Sequence, residues 1–131
     1  MDSPADQQDA AMPGEGAVRL CASSELSDGG RGVRFVVPSK TGLSVPAFAV
    51  RHQGRVHAYL NRCAHVPMEL DLQEGRFFDL SGDYLICATH GAMYEPADGR
   101  CIAGPCHGAS LTALHVVEHA DAVFWLPSPS Q

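Results

Sequence analysis

The sequence predicts an all-β domain with antiparallel sheets, because its apolar runs are short, its turn residues are frequent and helical periodicity is scarce. From residue 17 onward, apolar or alternating runs are separated by Gly, Pro, Asp and Ser at close intervals, which is typical of a small antiparallel β domain. Apolar residues make up 45% of the 131-residue chain and charged residues 18%, which is sufficient for one packed core. We therefore expect a single domain over residues 17–126.

Turn residues define the individual strands. Gln53-Gly54 predicts a tight hairpin, Asp98-Gly99 predicts a reversal with two positive φ angles, and residues 119–121 predict a final hairpin. Only residues 69–80 have a pattern compatible with a helical turn. The predicted strands are 18–22, 32–37, 45–52, 55–60, 84–87, 92–95, 114–118 and 123–126.

Both ends of the chain are expected to lie outside this domain. Residues 1–16 carry four acidic side chains, no Lys or Arg and no sustained apolar period, so we expect a disordered acidic tail. Residues 127–131 contain two prolines, which cannot continue a hydrogen-bonded ladder, and are expected to form a loose tail.

Net charge and hydropathy exclude two classes of partner. Nine basic residues against 15 acidic ones give a net charge of −6, which is the wrong sign for binding nucleic acid phosphates. No apolar stretch approaches the 18 or so residues that a membrane span needs, and the first residues do not have the pattern of an export signal. The expected location is cytoplasmic.

Two short segments carry the chemistry. Cys63-Ala64-His65 and Cys87-Ala88-Thr89-His90 each combine a thiol with an imidazole, and both follow predicted strands, so two loops at one end of the domain could converge. A structural zinc site fits this donor set. The alternation of Cys and His within each loop also suits a two-iron cluster in which one iron takes both thiolates and the other takes both imidazoles. Spacing alone leaves both metals open.

These residues resemble the Rieske [2Fe-2S] family, whose pattern is C-x-H followed by C-x-x-H. The likeness spans about residues 45–126, although the interval between His65 and Cys87 is longer than in common Rieske ferredoxins, with the excess placed around residues 76–80. It continues in the downstream segments His90-Gly91, Tyr94, Asp98-Gly99-Arg100-Cys101 and Gly104-Pro105-Cys106.

The resemblance implies a Rieske-type fold with a small cluster-binding subdomain at about residues 61–108. It further implies one [2Fe-2S] cluster per chain, with Cys63 and Cys87 on one iron and His65 and His90 on the outer iron. The surrounding positions implied are Gly91 for close backbone approach, Tyr94 for a hydroxyl near a cysteine sulfur, and Gly104-Pro105 for a shielding loop.

The function implied is that of a Rieske-type ferredoxin, an electron carrier rather than an enzyme, working between a reductase and an oxygenase or other terminal redox enzyme. A small Rieske subunit of a larger redox enzyme and a structural zinc module are the alternatives. The chain is too short to hold a second, catalytic metal domain as well.

The remaining cysteines, histidines and aromatics are expected to have no role in metal binding. Cys21 is predicted to be a buried packing residue. Cys101 and Cys106 lie on either side of Gly104-Pro105 and could pair, but in a reducing compartment we expect unlinked, packed thiols. The pairs His52 and His57, and His115 and His119, are predicted to be exposed strand residues. Core packing is the expected role of Phe77-Phe78.

Overall fold

The computed structural model describes residues 16–38, 42–63, 69–71, 73–88, 91–104 and 108–127. The predicted tails fall almost wholly outside these ranges, so those boundaries stay predictions. The described part contains a 3-10 helix at Ser23–Glu25 and strands numbered along the chain: β1 Val18–Ala22, β2 Val33–Pro38, β3 Ser44–His52, β4 Arg55–Leu60, β5 Leu85–Ile86, β6 Met93–Tyr94, β7 Cys101–Ala103, β8 Ala113–Leu114, β9 Val116–His119 and β10 Ala122–Trp125.

These strands form three antiparallel sheets, which confirms the predicted all-β class. The central sheet has the order β2-β3-β4-β8, the terminal sheet β1-β10-β9 and the small sheet β5-β6-β7. Strand β3 is the longest, with nine residues, whereas the small sheet is built from strands of two or three residues.

The central sheet is buried on both faces by separate cores. Phe48 and Tyr59 oppose each other in register, as do Ala49 and Ala58 in the next pair. Because alternate residues of a strand point to opposite faces, the aromatic pair packs into a core shared with the small sheet, while the alanine pair packs with Cys21 of the terminal sheet. Burial on both sides explains the continuous apolar run at residues 45–50, which an alternating pattern would not produce.

Two of the three predicted turns have the expected geometry. Gln53 and Gly54 have φ angles of 52° and 81°, and Ala120 and Asp121 have φ angles of 53° and 66°, so both hairpins close with two positive φ angles, as the right-handed strand twist favours. The expectation for Asp98-Gly99 is wrong in one respect. Only Gly99 has a positive φ there, at 77°, because the turn is wider and closes through a hydrogen bond from the Gly99 amide to the Glu95 carbonyl at 2.7 Å.

Residues 69–80, whose pattern is compatible with a helical turn, do not form one, since none of the described residues in this range is helical. Residues 77–79 instead run antiparallel to the chain around β5. The Ile86 amide donates to the Phe77 carbonyl and the Asp79 amide donates to the Tyr84 carbonyl, both at 2.9 Å. This pairing directs Phe77 into the core, where it is fully buried, and thereby overrides the local pattern.

Several strand boundaries differ from the prediction by one or two residues, and two differences change the number of strands. The strand expected at 114–118 is divided into β8 and β9, because β8 pairs with β4 of the central sheet and β9 pairs with β10 of the terminal sheet. Strand β7 was not predicted; it pairs with β6 across an irregular register.

Candidate metal centre

Cys63 lies at the end of a segment that leaves the central sheet. Strand β4 ends at Leu60, and the Asn61 amide donates to the Pro46 carbonyl at 2.8 Å, which carries the chain past the last pair of the β3–β4 ladder. The side chain of Cys63 then turns inward and is 2% exposed. The first predicted thiolate is thus held at one end of the central sheet, within the core that the small sheet shares.

Cys87 occupies a tight loop directly after β5. Its amide donates to the Ala92 carbonyl and its carbonyl accepts from the Gly91 amide, both at 2.8 Å. Gly91 has a φ of 76°, a conformation that L side chains rarely adopt, and a Cβ at this position would meet no protein atom within 4 Å. The loop therefore requires glycine for its backbone conformation and leaves space beside it.

A third segment packs against this loop. Gly104 follows β7 with a φ of 90°, and a Cβ added to it would lie 2.9 Å from the Cα of Ala92. Any larger residue would push the two segments apart. Close packing of this segment on the Cys87 loop therefore requires glycine at position 104.

Tyr94 links the small sheet to the first cysteine segment. It lies on β6 opposite Leu85, its side chain is fully buried, and its hydroxyl oxygen lies 3.3 Å from the sulfur of Cys63. A side chain of the small sheet therefore contacts the sulfur on the segment that leaves the central sheet.

The structure brings together five of the predicted site residues and does not describe the other three. Cys63, Cys87 and Tyr94 belong to one buried core, and Gly91 and Gly104 lie on the loops around it. His65, His90 and Pro105 lie outside the described residues. Within the described ranges, no group of three or more His, Cys, Asp or Glu side chains is arranged to hold a metal ion.

The described residues fit an iron–sulfur group. Thiolate sulfur is the ligand that such clusters require, and burial away from water suits a redox centre whose electronic properties depend on its surroundings. The Tyr94 hydroxyl is placed to stabilise charge on one of these sulfurs. Gly91 adds a backbone conformation with a φ of 76° in the Cys87 loop, which its lack of a Cβ permits.

Sequence reasoning missed two buried polar side chains next to the first cysteine segment. Asn61 is 2% exposed and Asp71 is 6% exposed, and they are hydrogen-bonded to each other. No local sequence signal indicates them, because Asn61 is followed by the charged Arg62 and the contact with Asp71 spans ten residues of sequence.

The prediction that Cys101 is an unlinked thiol is wrong, because Cys101 is disulfide-bonded. The prediction weighed the expected reducing environment above the geometry of the loop. Cys106 lies outside the described residues.

His52 also differs from its prediction, since its side chain is 8% exposed. Its ring stacks on Phe78, with the ring centroids 6.0 Å apart, because the arm at residues 77–79 covers this end of β3. His57 is half-buried, and burial holds its pKa below the usual histidine value. Cys21 is buried as predicted, and burial raises the pKa of its thiol, as expected for a packing residue.

A family model described as the Rieske [2Fe-2S] domain matches residues 16–122 of the chain. Among curated proteins, none matches the sequence significantly. The described part of the chain contains no helix long and apolar enough to cross a membrane.

Several solved structures are similar in fold. The ferredoxin of carbazole 1,9a-dioxygenase from Nocardioides aromaticivorans IC177 aligns with a TM-score of 0.65 and 22% identity, covering 87% of this chain and 100% of that one. A ferredoxin of Sphingomonas yanoikuyae B1 aligns with a TM-score of 0.63 and 22% identity over 85% and 98% of the two chains. The terminal oxygenase of the Nocardioides enzyme aligns with a TM-score of 0.70 and 20% identity, covering 88% of this chain but only 31% of the oxygenase.

Proposed function

This chain belongs to the Rieske [2Fe-2S] domain family, and from that premise we propose that it is a ferredoxin, a one-electron carrier that serves an oxygenase. The observation that carries the proposal is the buried pair of cysteines on loops leaving β4 and β5, with the Tyr94 hydroxyl 3.3 Å from the Cys63 sulfur. The fold supports a carrier, because two solved ferredoxin chains align over 100% and 98% of their own length.

The proposed ligands are Cys63 and Cys87 on one iron and His65 and His90 on the other. The cysteines are supported by their burial and by their positions in two adjacent loops, and the histidines by their spacing in the sequence. When bound, a cluster of this type supplies a site that accepts and releases one electron, at a potential raised by its neutral imidazole ligands.

The protein's own residues hold and insulate this site. Tyr94 places its hydroxyl against the Cys63 sulfur, where hydrogen bonding favours the more negatively charged state. The close contact between Gly104 and Ala92 keeps the third segment against the Cys87 loop.

The proposed partner is an oxygenase, with a reductase as the electron source. Support comes from a solved complex described as reduced oxygenase with oxidised ferredoxin in carbazole 1,9a-dioxygenase. The alignment with this protein covers 92% of one chain of that complex. The complex that we propose is small and transient, as is usual for electron-transfer encounters. A cytoplasmic location stays a prediction.

Metal and spectroscopic analysis of anaerobically purified protein tests the cluster. We expect a brown protein with two irons and two labile sulfides per chain and an EPR signal on reduction. The Cys63→Ser variant should lose colour, iron and reducibility. Cys21→Ser is the matched control, because Cys21 is equally buried but packs in the core of the terminal sheet.

A colourless protein with one zinc per chain would contradict the proposal and support the structural zinc module. Retention of the full spectrum by Cys63→Ser would also contradict it. Copurification of the native protein in a large stable complex would favour the permanent subunit over the independent carrier.

A further inference from the structure

The two buried polar residues beside the first cysteine segment form a compact hydrogen-bonded unit. The Asn61 amide nitrogen donates to one Asp71 carboxylate oxygen at 2.9 Å, and the Leu70 amide donates to the Asn61 side-chain oxygen at 2.8 Å. The second Asp71 oxygen accepts from the Gly75 amide at 2.9 Å. All these groups are buried, so each hydrogen bond satisfies a group that would otherwise be costly to desolvate.

This unit reaches both cysteine segments. Asn61 lies two residues before Cys63, and the Leu70 carbonyl accepts from the amide of Ala88 at 3.0 Å. Ala88 directly follows Cys87. One path of hydrogen bonds therefore runs from the Asn61 side chain through the Leu70 backbone to the second cysteine loop.

Asp71 decides which way the Asn61 amide faces. An asparagine can present either its oxygen or its nitrogen to a neighbour, whereas an ionised carboxylate only accepts. With the carboxylate on one side, the Asn61 nitrogen must face Asp71, and the oxygen is left to accept from Leu70.

Arg34 supplies the nearest positive charge to this carboxylate. Its Nε lies 3.7 Å from Asp71, whose side chain is fully buried, and its Nη2 lies 2.7 Å from Glu69, which is 41% exposed. A buried carboxylate is costly without a charge partner and hydrogen bonds, and Asp71 has both.

We propose that Asn61 and Asp71 are positioning residues for the metal centre. Together they form an Asn61–Asp71 clasp that fixes the Cys63 segment relative to the Cys87 loop. The clasp rests on the proposed function for its link to the cluster, but its hydrogen bonds belong to the protein alone.

The Asp71→Asn variant breaks the clasp with minimal change of shape. The introduced amide has only one acceptor oxygen for two donors, from Asn61 and Gly75, so one of these hydrogen bonds is lost or the Asn61 amide turns round. We expect the Leu70 and Ala88 amides of the purified holoprotein to exchange with deuterium about tenfold faster. Loss of the buried negative charge should also raise the reduction midpoint potential, and the altered loops should change the EPR spectrum.

Two further variants make the test specific. Asp83→Asn removes the same charge from an exposed residue of the 80–83 turn and should leave exchange, potential and spectrum at wild-type values. The double exchange of Asn61→Asp with Asp71→Asn restores a carboxylate–amide pair that can satisfy Leu70 and Gly75 together. It should recover most of the amide protection that the single variant loses.

Wild-type exchange at Leu70 and Ala88 in Asp71→Asn would overturn the clasp, even if the potential moved, because charge alone would then explain the effect. A double variant as unprotected as Asp71→Asn would overturn it as well. If the purified protein held no [2Fe-2S] cluster, the proposed function would fail by itself, while hydrogen exchange would still decide whether the clasp exists.

Discussion

The terminal sheet and the small sheet cover opposite faces of the same central sheet, but they are attached by different means. The terminal sheet has strands of four or five residues and packs on small side chains such as Ala49 and Ala58. The small sheet has strands of two or three residues and packs through large aromatic rings. Phe77, beside β5, stacks on Phe48 with ring centroids 4.0 Å apart.

This difference shows how each sheet obtains its order. The terminal sheet can rely on its own hydrogen-bonded ladders, because its register runs through four residue pairs between β9 and β10. The small sheet has two pairs between β5 and β6, which is too little to be stable alone. Its order must therefore come from side-chain contacts with the central sheet.

Removal of the stacked ring should have the largest effect on this arrangement. Phe77→Ala deletes a fully buried side chain, and large-to-small changes of this kind cost about 3–5 kcal/mol. We expect that loss in the free energy of unfolding, measured by urea denaturation, with faster amide exchange in the small sheet than in the terminal sheet. Leu80→Ala is the control, since Leu80 is fully exposed and its truncation should change stability by less than about 0.5 kcal/mol. An equal loss of protection in both outer sheets would contradict the comparison.

The difference in strand length between the sheets also explains why the terminal and central sheets were predicted well from sequence. Strand β1 and strand β4 have the predicted bounds, because their apolar runs are ended by clear turn residues. The small sheet was predicted less well, since β7 was missed and the arm at residues 77–79 was taken as a possible helical turn. Strands of two or three residues carry too few side chains to establish a period, so long-range packing decides their conformation.

The Tyr59 hydroxyl allows a second test, with a smaller expected effect, of how the small sheet is attached to the central sheet. The buried Tyr59 hydroxyl donates to the Pro96 carbonyl at 2.6 Å, which links β4 to the turn between β6 and β7, and burial raises the pKa of Tyr59. Tyr59→Phe keeps the ring but leaves that carbonyl without this donor, at a cost of about 1–3 kcal/mol. The measurement is thermal or urea unfolding together with amide exchange at Gly99. Tyr84→Phe, at an exposed tyrosine, is the matched control, and equal stability of the two variants would show that the hydroxyl does not hold the small sheet.

The residues of the candidate site also differ in whether the sequence alone can predict them. Cys63 and Cys87 could be selected from sequence because the spacing of Cys and His is specific in itself. Asn61 and Asp71 could not, because their importance depends on a contact across ten residues and on burial that no local pattern shows. The disulfide at Cys101 was missed for a different reason, since the expected environment was given more weight than loop geometry.

The smallest expected effect concerns the terminal sheet, where one ion pair bridges to the central sheet. Arg51 on β3 donates to Glu118 on β9, with Nη2 and Oε2 2.6 Å apart, and this hydrogen bond with Arg51 is the main reason that the pKa of Glu118 lies below its ordinary value of 4.5. A carboxyl with a depressed folded-state pKa contributes stability above the unfolded value and loses that contribution as the pH falls through the folded value. Glu118→Gln should therefore be less stable than wild type by about 0.2–1 kcal/mol at pH 7.

This difference should disappear as the pH falls below 4.5 toward the folded pKa, and urea unfolding at a series of pH values measures it. The exposed Glu74→Gln variant is the matched control and should have the stability of the wild type at pH 7. Amide protection in the small sheet should stay at the wild-type level in Glu118→Gln, because Arg51 and Glu118 join the terminal sheet, and not the small sheet, to the central sheet. A loss of protection in the small sheet would mean that the two outer sheets are coupled through the central sheet. The contrast between a terminal sheet ordered by its own hydrogen bonds and a small sheet ordered by aromatic packing would then be wrong.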